Sequence, residues 1–159
     1  MPGRDLRLFC TDIYYVSNIL CVRERINIIK RMKIQIEYTI TEDMVENVIV
    51  SALEGGSNYW YFVDVEDFEQ DLPPKNGKAL TERISEAVFR NPSFKMPVYD
   101  VEDEDDVLGY LSQKNLRRGL ELCAKDYPEA FKRLINDEID AGDADVIFQL
   151  TVMGEVTFG

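Results

Sequence analysis

Residues 33–40 read KIQIEYTI, and Ile34, Ile36, Tyr38 and Ile40 alternate with polar positions. A period of two predicts a half-buried strand. Thr41 then offers a helix N-cap, and Glu42 and Asp43 fall in the first turn, where the helix dipole favours negative charge. Met44, Val45, Val48, Ile49, Ala52 and Leu53 recur at helical spacing, and Gly55-Gly56 should end that helix as a glycine C-cap. Residues 59–65 (YWYFVDV) are aromatic and β-branched and predict a second strand. Residues 66–78 hold Pro73-Pro74 and Asn76-Gly77 and read as a loop.

A second amphipathic helix is predicted over 78–90, with Leu80, Ile84, Ala87 and Val88 on one face. Asn91-Pro92 stops it, because a residue before proline avoids the α region. Residues 94–101 read as extended, and Pro97 points to an edge strand. Ser112 looks like the N-cap of a third helix, with Leu111 and Leu116 as a hydrophobic staple and Leu116, Leu120 and Cys123 as its stripe. Tyr127-Pro128 opens a fourth helix, with Phe131, Leu134 and Ile135 inward, and Gly142 breaks it. Asp143 is expected to cap a last helix over 144–153, apolar nearly all round and therefore buried. Gly154 ends it, and 156–158 would form a short closing strand. The order predicts an α+β fold: one compact domain at 32–159, with a small mixed or antiparallel sheet and four to five helices.

Charge divides the chain. The 159 residues carry 18 basic and 30 acidic side chains, net −12. Residues 1–31 hold six of the basic and three of the acidic ones, net +3. That leaves 12 and 27, or −15, for residues 32–159. The apolar run at 8–21 is too short and too interrupted to span a bilayer. Residues 1–31 read as a loosely attached extension, as sequence ahead of a natural start at Met32, or as a basic arm touching a membrane or RNA. The acidity argues against nucleic-acid binding by phosphate neutralisation. The chain has no histidine, which excludes Ser-His-Asp and Cys-His catalysis and imidazole metal ligands. Cys10, Cys21 and Cys123 are odd in number and lack a C-x-x-C pair, as expected for free thiols in a reducing compartment.

Four places invite a chemical reading. At Glu54-Gly55-Gly56-Ser57-Asn58-Tyr59-Trp60 a helix runs through two glycines into an aromatic strand. The plain reading is a C-cap, a tight turn and core aromatics. The functional reading is a small-ligand or nucleotide site, with Glu54, Gly55, Gly56, Asn58 and Tyr59 around a bare backbone, Trp60 as stacking platform and Arg83 as counter-charge. The alternating aspartates at 140–145 fail the calcium-loop pattern, because the twelfth position is Thr151 or Gly154 rather than glutamate. Glu54, Asp64, Glu66, Asp100 and Glu102 would make a metal-dependent hydrolase only if they converge. Finally, Asp100, Glu102, Asp103, Glu104, Asp105 and Asp106 put six carboxylates in seven residues. They are a solvated loop or a row of charges that mimics nucleic-acid phosphates on a basic protein groove. Arg83, Arg90, Arg117 and Arg118 are expected to pair with the acidic surface.

ALEGGSNYWY at 52–61 and DADVIFQLTVMGEVTFG at 143–159 together resemble a group of small bacteriophage and prophage proteins. In these a helix ending in Glu-Gly-Gly leads to a Tyr-Trp pair, and the chain ends in Asp-Ala-Asp, an apolar helix, Gly-Glu and an aromatic-Gly. The match runs from Met32 to Gly159 and is looser in the middle. The resemblance implies a mobile-element origin and action in the bacterial cytoplasm, and it brings no catalytic residues. The leading expectation is therefore an accessory protein that works by binding a host or phage protein, as a nucleic-acid mimic or an inhibitor of host defence. No catalytic residue, metal site or cofactor is assigned, and self-association is left open by the apolar last helix. The alternatives are the nucleotide binder and the carboxylate hydrolase.

Overall fold

In the computed structural model, which describes residues 34–159, Thr41 Oγ1 accepts the Met44 N–H at 3.3 Å and opens α1 (Glu42–Ser51). Val45, Val48 and Ile49 are its buried face. The helix does not stop at a glycine cap. It widens into a π-helical turn, Ala52–Gly56, closed by Ser57 N–H to Ala52 C=O at 3.0 Å. The compact unit runs from Thr39 to Gly159. Residues 34–40 form no strand, and Ile34 is 75% exposed. Alternation fixes which side chains share a face; it supplies no ladder partner. Residues 1–33, with Cys10, Cys21 and the segment read as an extension, lie outside the described residues.

The sheet has three antiparallel strands in the order β1 (Tyr61–Phe62), β2 (Met96–Asp100), β3 (Val107–Leu111). The strand expected over 59–65 shrinks to two residues. Asp64 Oδ1 accepts the Glu66 N–H at 2.9 Å and turns the chain into two 3-10 turns, Val65–Asp67 and Glu69–Asp71, inside the expected loop. Pro97 lies on the central strand, not an edge strand. It is tolerated because β1 reaches only Tyr99 and Asp100, so Pro97 lies beyond the β1 pairing. β3 is an element that the sequence reading did not contain.

α2 (Leu80–Arg90) buries Ile84, Ala87 and Val88 and ends at Asn91, as expected; Leu80 in its first turn is exposed. Ser112 Oγ accepts the Asn115 N–H at 3.3 Å and starts α3 (Gln113–Asp126), which buries Leu116, Leu120 and Cys123. Pro128 opens α4 (Pro128–Ile135). That helix ends at Asn136, with Asp137 at φ 59, well before Gly142. α5 (Ala141–Val152) starts three residues earlier than expected. Asp140 is its cap: Asp140 Oδ1 accepts the Asp143 N–H at 2.9 Å, and Asp143 Oδ2 accepts the Asp140 N–H at 3.3 Å. Both aspartates can cap, and the reciprocal pair selects the outer one. Residues 156–158 form no strand.

The fold is α+β: among the described residues, five α-helices surround the small sheet. α5 is the centre of the core: Ala144, Ile147, Phe148, Leu150 and Val152 are buried against α1, α3 and β3. The Arg133 guanidinium forks onto buried Asp143 through Nε and Nη2, tying the end of α4 to the start of α5. That charge-assisted bond holds the Asp143 carboxyl below the usual carboxylate range, against the opposing effect of burial. A carboxyl whose folded pKa is depressed stabilises the fold above its unfolded pKa of about 3.9, and the contribution is lost as pH falls through the folded value. Acid unfolding followed by circular dichroism should therefore steepen below about pH 4, and Asp143→Asn should remove that part of the pH dependence.

Candidate functional site

The Gly-Gly-x-x-Tyr-Trp motif and the C-terminal motif meet in one buried network. Trp60 Nε1–H donates to Asp145 Oδ1 at 2.7 Å. Tyr59 O–H and Gln149 Nε2–H donate to Asp145 Oδ2 at 2.9 and 2.8 Å. Asp145 is 8% exposed and Gln149 fully buried, one turn apart on α5. Gln149 also holds the chain end. Its Oε1 accepts the N–H groups of Thr157 and Phe158 at 2.9 and 2.8 Å, and its Nε2–H donates to the Phe158 carbonyl at 2.8 Å. Phe158 then stacks on Trp60 at 5.3 Å and 6° between planes.

This corrects the ligand reading. Trp60 is 1% exposed, and the indole face that a ligand would use is covered by Phe158. Gly56 is pressed against α5: a Cβ there would lie 2.8 Å from the Ala141 carbonyl oxygen. Glu54 accepts the Thr81 hydroxyl at 2.7 Å. Gly55 and Asn58 are exposed, and Tyr59 is 51% exposed with its hydroxyl turned inward onto Asp145. Arg83 is 5% exposed and donates from Nε to the Pro73 carbonyl at 2.7 Å, within the loop before α2. Tyr59 and Trp60 share Asp145, whereas Glu54, Gly56 and Arg83 are each held in the scaffold by a different neighbour. The role of Asp145 and Gln149, which organise Tyr59 and Trp60, was missed by the sequence reading, where Asp145 figured only among the alternating aspartates at 140–145. Their signal was a pair of polar residues four apart, hence on one face, in a helix that is buried nearly all round.

The other candidates separate too. Among the described residues, no group of three or more Cys, Asp or Glu side chains converges to hold a metal, so Glu54, Asp64, Glu66, Asp100 and Glu102 form no such cluster. Cys123 is buried, and burial pushes its thiol up to about 11, away from thiolate chemistry. Arg90 pairs with Glu42 and Glu86, and Arg117 with Glu121, as expected. Arg118 instead donates to the Thr151 carbonyl at 3.4 Å.

The acidic run is the turn of the β2–β3 hairpin. Asp100 N–H donates to the Asp106 carbonyl at 2.9 Å and closes it, and Val101 N–H donates to the Trp60 carbonyl at 3.2 Å. Two side chains brace the backbone: Asp100 Oδ1 accepts the Glu102 N–H at 2.8 Å, and Asp103 Oδ1 accepts the Asp105 N–H at 3.2 Å. Residues 101–106 are all exposed. Tyr99 O–H donates to Asp67 Oδ2 at 2.7 Å, which brings the 3-10 turn with Asp64, Glu66 and Asp67 to the same end of the sheet. That bond, with burial and the Asp67 charge behind it, pushes the Tyr99 phenol up to about 12. Among the described residues, none of the carboxylates at 64–67 or 100–106 has a salt bridge to lysine or arginine.

Compared with known proteins, the chain matches no family model, no curated protein and no solved structure. Among the described residues, no helix is long and apolar enough to cross a membrane.

Proposed function

We propose that the protein acts by docking the acidic β2–β3 hairpin into a basic groove of a nucleic-acid-handling protein, in the place of nucleic acid. The observation that carries this reading is the hairpin itself. Asp100, Glu102, Asp103, Glu104, Asp105 and Asp106 stand on a backbone braced by its own hydrogen bonds, and among the described residues no lysine or arginine forms a salt bridge with them. A fixed row of like charges costs folding energy, and it is suited to steering a positive partner and to contacts that weaken steeply with salt. The resemblance to bacteriophage and prophage proteins supports a partner in the bacterial host, with a defence protein as one such target, and a site of action in the host cytoplasm. Turnover is not part of this reading, since the chemistry-bearing residues are used in the scaffold.

The test is affinity capture from a bacterial lysate at low ionic strength on the full-length protein. The reading expects retained proteins that bind nucleic acid, released both by added double-stranded DNA and by moderate salt. Retention of nothing basic, or of proteins that DNA fails to displace, would refute it.

A further inference from the structure

We propose that two copies of this chain associate side by side along β3, with the acidic hairpin of each lying against a basic patch on the other. The association involves the purified protein alone and stands apart from docking on another protein. It rests on a separation of charge along one strand. Residues 102–106, just before β3, carry five exposed carboxylates. Three exposed cations lie at the other end. Lys95 precedes Met96, which pairs with Leu111 at the end of β3, and its ammonium sits 4.4 Å from the centre of the Tyr110 ring. Lys114 and Arg118 lie one turn apart on α3, which starts just after β3. Asn115, beside Lys114, donates to the Tyr110 carbonyl at 2.8 Å and holds that end of α3 against the strand. Both sets of charge lack partners. Among the described residues, the carboxylates at 102–106 form no salt bridge, and neither do Lys95, Lys114 and Arg118, whereas every other exposed lysine or arginine has one.

β3 joins the two sets and is an edge strand. It pairs with β2 alone, and Val107 and Tyr110 are exposed on it. A two-fold axis beside β3 sets the two strands antiparallel, so the acidic end of each copy meets the basic end of the other, and the contact occurs twice. Val107 and Tyr110 fall between the two charged contacts. Side chains rather than a continued ladder make this interface. The β2–β3 register shifts between Val98 and Tyr99, and Asn115 already occupies the Tyr110 carbonyl; both features blunt an edge against backbone pairing. One short strand gives a small interface, so the dimer is weak and depends on concentration.

Sedimentation of the full-length protein at millimolar concentration tests the pairing. At about 0.1 M salt, charges more than about 10 Å apart are screened, so the net negative charge of the two copies does not keep them apart while ion pairs in contact survive. The wild type should be a dimer there and a monomer in about 1 M salt. Lys95→Glu with Lys114→Glu should be monomeric at the lower salt, and so should Glu104→Lys with Asp106→Lys. All four positions are exposed. Mixed in equal amounts, the two double variants should dimerise with each other, because reversing both faces restores both contacts. A wild type that stays monomeric at the lower salt, a dimer that persists at the higher salt, a folded double variant that self-associates as the wild type does, or a mixture that stays monomeric overturns the proposal. Should a double variant unfold by circular dichroism, the single variants Lys114→Glu and Glu104→Lys serve in its place with the same outcomes.

Discussion

Asp145→Ala should destabilise the protein by about 4 kcal/mol, with the melting temperature falling by roughly 10–20 °C. The reason lies in what the carboxylate receives. It accepts hydrogen bonds from the Trp60 indole, the Gln149 amide and the Tyr59 hydroxyl. Truncation strands the first of these in a dry site, since Trp60 is 1% exposed, and each orphaned buried donor costs about 1–3 kcal/mol. Gln149 keeps the Phe158 carbonyl but loses the bond that orients it, so the tail loosens as well. Tyr59, half exposed, finds water and adds little. Asp145→Asn keeps one acceptor and should lose about half as much. Urea unfolding followed through the single tryptophan measures both, and a loss for alanine within about 0.5 kcal/mol, the range of an ordinary surface change, would show that the network is not what holds the two motifs together.

Gly109→Ala should cost about 3 kcal/mol, by a different mechanism. Gly109 on β3 faces the end of α5 so closely that a Cβ would lie 2.3 Å from the Val152 carbonyl oxygen and 3.0 Å from Val152 Cγ1. A backbone oxygen cannot rotate away as a side chain can. The strand must move off the helix, and the buried Val98 and Leu111 on the same sheet move with it. Gly119→Ala meets the same helix from α3, with Thr151 Cα and N at 2.8 Å from the added carbon, and should behave alike. Gly77→Ala is the contrast. Nothing lies within 4 Å of its Cβ position, and φ +81 alone opposes the substitution, at about 1–2 kcal/mol. If Gly109→Ala unfolds at the same urea concentration as the wild type, the close strand–helix approach is wrong.

The helices were legible because their signals are local. Thr41, Ser112 and Pro128 announce three starts, and the stripes at Val45-Val48-Ile49 and Leu116-Leu120-Cys123 need only 3.6 periodicity. Where two residues satisfy one rule, the start slipped, as with Asp140 and Asp143 before α5. Strands were less legible, because a strand is completed by a partner elsewhere in the chain. Residues 34–40 have ideal alternation and form none, whereas VLGYL is short and carries a glycine, yet pairs with β2 through Val107, Gly109, Tyr110 and Leu111. The ligand reading failed for the same reason. The partner of Trp60 lies 85 residues away at Asp145, and no spacing rule connects them. The acidic hairpin was read correctly as exposed, since six carboxylates in seven residues leave no other place for it.

On the proposed docking reading, the two motifs build a scaffold and the hairpin is the contact surface. Its most direct test replaces Glu102, Asp103, Glu104, Asp105 and Asp106 together by glutamine or asparagine and measures thermal stability and low-salt retention of nucleic-acid-binding proteins on the same preparation. The amides keep the brace at Asp103 and relieve like-charge repulsion, so the predicted result is an unchanged or slightly higher melting temperature with retention abolished. Retention that survives the five substitutions in a folded protein would contradict it.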